Sequence, residues 1–159
     1  MNKNRLNEIE SHLDLLYRQK HGIETALILA PLEEQIRLRQ KIQIQISPEI
    51  GKYEQEYWQI IANQSNLVEI PEAEAEVVIA EFVERVGQLQ GENAKIVEYL
   101  QKILAKVEET GPTAAAKLKT IFSSIPPFVG ISIETELDIE NFLNQYFPLL
   151  MKGVQRLKK

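Results

Sequence analysis

Between residues 6 and 27, apolar side chains recur at Leu6, Ile9, Leu13, Leu16, Ile23 and Leu27, and Lys20 fills the one vacant position. Steps of three and four over about three heptads, flanked by polar residues, make an a/d helical seam. The pattern predicts a first helix over residues 4–30, weakened locally by His21-Gly22. Ala30-Pro31 ends it, because the residue before proline avoids the helical region. Pro31 followed by Glu33 and Glu34 then suits the positive start of a second helix. So short a connection makes the two helices antiparallel neighbours. The second seam is Leu38, Ile42, Ile46, Ile50, Tyr53, Tyr57 and Ile60, on a helix over residues 32–63. Residues 41–46 also alternate with period two, but both flanks are helical. Ser47-Pro48 predicts a kink or short break at Ile46-Ser47.

After a polar link, Pro71 and the acidic residues Glu72, Glu74 and Glu76 open a third helix. Its face is Ala75, Val78, Ile79, Phe82, Val83, Val86 and Leu89, wider than a coiled-coil seam. Asn93 caps a fourth helix, which Gly111-Pro112 stops. Thr113 caps a short helix to Phe122. Residues 123–130, with Pro126-Pro127, read as non-helical. Ile131, Ile133 and Thr135 alternate with polar residues as in a short strand. That strand pairs either with residues 119–125 as a hairpin or with another chain. Asp138 caps a final helix, bent at Pro148, whose inward set is Ile139, Phe142, Leu143, Tyr146, Leu149, Leu150, Val154 and Leu157.

The expected fold is therefore mainly α. A coiled-coil-like antiparallel hairpin over residues 1–64 precedes a smaller helical unit over residues 65–159, with at most one short β-element near 117–137. One stripe per helix leaves the hairpin's apolar surface partly uncovered, which predicts a homo-oligomer built on it. Lys20 in the seam is the kind of residue that sets register or oligomer state. Tyr53, Tyr57 and Trp58 pack in the hairpin or serve as an aromatic contact patch.

Charge narrows the partners. Residues 65–112 carry 4 basic and 10 acidic groups, so nucleic acid is not expected as a ligand. The basic cluster Lys152, Arg156, Lys158 and Lys159 suits a helix C-terminus; an acidic partner or anionic lipid is the alternative. Cysteine is absent, which removes disulfides, zinc–thiolate sites and thiol nucleophiles. His12 and His21 lie nine residues apart, and neither follows a Glu by three. The glycines form no phosphate loop, and no serine lies in a nucleophile elbow. Neither an enzyme, a cofactor nor a metal site is expected. The longest apolar run, residues 26–32, is far short of the ~20 residues of a spanning helix, and the expected location is cytoplasmic.

Three short stretches carry a resemblance: Ile70-Pro71-Glu72-Ala73-Glu74, Lys117-Leu118-Lys119 leading to Ile125-Pro126-Pro127-Phe128, and Glu134-Thr135-Glu136-Leu137-Asp138. With them, residues 65–159 resemble accessory helical modules of bacterial signalling and conflict proteins that carry NACHT or NB-ARC ATPases. The resemblance implies an adaptor without catalytic residues, which associates with itself or couples a sensor to an effector. The expected function is thus a non-enzymatic interaction module. It would contact itself and another protein through the hairpin seam and, by strand addition, through Ile131 and Ile133. The alternative is a membrane-associating effector using residues 121–133 and the basic C-terminal helix.

Overall fold

The computed structural model describes residues 3–89 and 91–159. The described residues are mainly helical, with no strand among them, and divide into two compact units, residues 3–57 and 58–159.

The first unit holds a helical hairpin and ends at residue 57, whereas the hairpin expected from the sequence runs to residue 64. Helix α1 spans Lys3–Leu29 and α2 spans Leu32–Lys41. They are joined across Ala30 and Pro31, where the Pro31 carbonyl accepts from Gln35 N at 2.9 Å and the Ala30 carbonyl from Gln35 Nε2 at 2.9 Å. No break follows at Ile46-Ser47. A π-helical turn, Ile42–Ile46, runs directly into α3, Ser47–Leu67. Its signature is the Ser47 N–H, which donates to the Ile42 carbonyl five residues back. The wider turn accommodates Pro48, which has no N–H to give and whose ring would crowd the preceding turn. It also corrects the drift of a four-residue spacing, so that Ile42, Ile46 and Ile50 are all buried. At the open end, Arg5 forks onto both carboxylate oxygens of Glu56, with Nη2 to Oε1 at 2.7 Å. Those hydrogen bonds hold the Glu56 carboxyl below its ordinary range.

In the second unit, α6 (Ala114–Glu134) packs against α4 (Glu72–Gln88) and α5 (Ala94–Glu109). Helix α8 (Pro148–Lys158) lies on α4 and on α7 (Ile139–Tyr146). The expected caps form. Asn93 accepts from Lys95 N at 2.8 Å, Thr113 from Ala116 N at 3.2 Å and Asp138 from Asn141 N at 3.1 Å. Pro148 divides the last helix in two, and Phe147 before it leaves the helical region, at φ −131 and ψ 56. Phe128, Phe142, Tyr146, Phe147 and Phe82 form a run of ring contacts through the core. Val83, expected on the inner face of α4, is 42% exposed instead.

Residues 123–134 depart from expectation. They continue α6 straight through Pro126 and Pro127. An interior proline costs a helix about 3 kcal/mol. Helical spacing, however, buries Leu118, Ile121, Phe122, Ile125, Phe128, Val129 and Ser132 on one side, at roughly 1.5–3 kcal/mol for each large apolar side chain. A strand of three alternating pairs offers nothing comparable. Ile131 and Ile133 therefore sit half-buried on the last turns of a helix, and there is no strand edge to extend.

The end of α6 is a Schellman cap. Leu137 N donates to the Ser132 carbonyl at 2.7 Å and Glu136 N to the Ile133 carbonyl at 3.2 Å. Glu136 has φ 59, left-handed backbone in which a Cβ is crowded. Glu136→Gly should therefore stabilise the protein by about 1 kcal/mol. Thermal denaturation of the variant beside the parent checks this; a lowered melting temperature contradicts it.

Helix α4 also caps two other helices. The Glu72 carboxylate accepts from Ala114 N at 2.7 Å and Ala115 N at 3.0 Å, at the start of α6. Glu81 accepts from Leu149 N at 3.0 Å, at the start of α8. Each carboxylate meets orphan N–H groups at the positive end of a helix dipole. The two backbone N–H groups hold the Glu72 carboxyl below its usual range. A carboxyl lowered in the folded state stabilises fully above its unfolded pKa, and that contribution fades as pH falls through the folded value. Glu72→Gln should lower the melting temperature at neutral pH and bring the two proteins together under acid. Melting curves over a pH series test this. An equal gap at every pH would contradict the assignment.

Candidate interaction surfaces

The hairpin seam closes at one end and opens at the other. Leu6, Ile9 and Leu13 are buried, whereas Leu16, Lys20, Ile23 and Leu27 are only half-buried. On the facing arm, Ile42, Ile46 and Ile50 are buried, but α2 buries no residue at all. The tip is barer still: Ile28 is 76%, Leu29 92% and Leu32 70% exposed. Residues 26–32 carry no charge, so apolar side chains cluster there on both sides of the turn. Contiguous apolar surface of this kind marks a contact site more often than scattered single residues do.

The aromatic residues lie elsewhere. Tyr57 and Trp58 are buried, Trp58 to 1% exposure, so neither is placed to dock a partner. Tyr53 is half-buried and stacks on His12 with ring centroids 4.9 Å apart. The buried carboxylate Glu54 accepts from the Tyr17 hydroxyl at 3.0 Å. That polar pair lies off both a/d seams, and heptad spacing gives no signal for it. The local sequence holds no counter-ion at the right spacing to flag a buried acid.

Residues 58–159 contain a groove of about 680 Å³, within the usual range for binding sites. Its walls come from three distant stretches: Ile70 and Val77, then Phe122, then Leu149 and Leu157. Gly153 leaves room above Phe122, whose Cζ would lie 3.7 Å from a Cβ built there. Lys152, Arg156 and Lys159 also border the groove, facing Glu69 and Glu74. Arg156 pairs with Glu74, whereas Lys152 and Lys159 have no ion pair among the described residues. Sequence reading singled out these cations, but the apolar walls beside them exist only once the helices are packed.

Ser65 and Ser132 are buried and donate to the carbonyls of Ala62 and Val129, each at 2.7 Å. Among the described residues, no group of three or more His, Cys, Asp or Glu could hold a metal ion. Of the segment 121–133, Ile121, Phe122, Ile125, Phe128 and Val129 are buried, which leaves them unavailable to a lipid surface. Among the described residues, no helix is long and apolar enough to cross a membrane. Comparison with protein families, with curated proteins and with solved structures finds no match.

Proposed function

We propose that this chain is a non-enzymatic protein–protein interaction module that associates with itself through its helical hairpin. The observation that carries this is α2, on which Leu32 and Ile36 are exposed and Leu38 is only half-buried. Ordering apolar side chains in water without covering them forgoes about 1.5–3 kcal/mol for each large one. A second copy is the occupant most consistent with the seam, whose a/d spacing and Lys20 are devices of helix–helix pairing. Such association gives an adaptor role its physical basis, in the bacterial signalling and conflict setting that the resemblance of residues 65–159 implies. A second protein would then be recruited by the assembled form.

Two differently tagged copies expressed together test the reading. Capture of one should retain the other through washing. Recovery of the tagged copy alone would overturn self-association.

A further inference from the structure

The hairpin tip and the groove of residues 58–159 match each other in two independent ways. The first is apolar surface: Ile28, Leu29 and Leu32 stand exposed on the tip, and the groove offers Ile70, Val77 and Leu149. The second is charge. Within residues 22–36 the charged groups are Glu24, Glu33 and Glu34, with no Lys or Arg among them. Glu34 is engaged by Arg37, which leaves Glu24 and Glu33 without an ion pair among the described residues. At the groove the groups in the same condition are the cations Lys152 and Lys159 and one acid, Glu69, which leaves a net positive charge.

We propose that the groove of one copy receives the hairpin tip of another. Leu29 and Leu32 fill the apolar wall, and Lys152 and Lys159 face Glu24 and Glu33. The proposal rests on the self-association reading and names its acceptor. A two-fold contact of tip on tip satisfies the leucines equally well. It also brings together two segments whose unpaired charges are both acidic, Glu24 and Glu33 of each copy, and like charges across a contact are unfavourable. The groove supplies opposite charge in their place. Tip-in-groove contact is head-to-tail, and each chain carries one tip and one groove. Assembly therefore continues into a ring or an open chain and does not stop at a two-fold dimer.

Two full-length variants separate these geometries. One is the tip variant, Leu29→Glu with Leu32→Glu. The other is the groove variant, Val77→Glu with Lys152→Glu, at positions that are likewise exposed. Circular dichroism establishes that both are folded. Each alone should associate about a hundredfold more weakly than the parent, the loss expected when central contact residues fail. An equimolar mixture should then form a 1:1 pair and nothing larger, because it holds one intact tip and one intact groove. A groove variant that assembles like the parent assigns the groove to another occupant. It overturns this proposal and leaves hairpin self-association standing. Two monomeric variants whose mixture stays monomeric overturn it as well. A monomeric parent removes both readings.

Discussion

Replacing Phe142 with alanine should unfold the second unit more readily than any other single truncation. Phe142 is 3% exposed, and its ring contacts those of Phe128, Tyr146 and Phe147, at centroid distances of 6.1, 4.9 and 6.1 Å. It lies on α7, so the deletion opens a cavity where α6, α7 and the turn into α8 meet. Phe→Ala at such a site costs about 3–5 kcal/mol. That is a large fraction of the roughly 5–15 kcal/mol that holds a domain together. The melting temperature should fall by about 10 °C, with Phe142→Leu falling less because more volume is kept. A variant melting within a degree or two of the parent would mean that this ring cluster is not the centre of the core.

Much of this architecture is legible along the chain. The caps at Asn93, Thr113 and Asp138 are local, each a short polar side chain satisfying N–H groups two or three residues on. So are the helix starts at Pro31 and Pro71 and the bend at Pro148. The hairpin follows from seam spacing and a turn of two residues. Helix α6 is not legible in the same way. Pro126-Pro127 and the Ile131, Ile133, Thr135 alternation are local signals against a helix, and packing against α4 and α5 overrides them. The π turn is the converse case, because Ile-Gln-Ile-Gln-Ile reads as a strand until the stripe Ile42, Ile46, Ile50 is followed through it. Seam spacing marks which residues are sticky, but not that cover runs out after Leu13. The groove has no local sequence signal: its walls meet from residues about 80 positions apart, a separation that no periodicity reports.

The tip variant, Leu29→Glu with Leu32→Glu, should lose self-association while keeping its fold. Both side chains are largely in water already, so the glutamates displace no packing and leave no buried charge. Surface changes of this kind shift stability by about 0.5 kcal/mol or less. In a contact, the same two charges would have to be desolvated beside Glu33 and Glu34. An effect on assembly with none on melting is the signature of an interface residue. A fall in both would mean that the tip is covered within a single chain.

Sedimentation equilibrium of the unmodified chain, over a concentration series reaching high micromolar, tests the central claim most directly. The predicted result is a weight-average mass that climbs with concentration above the 18.3 kDa of one chain. A mass that stays at 18.3 kDa across the series would contradict self-association through the hairpin.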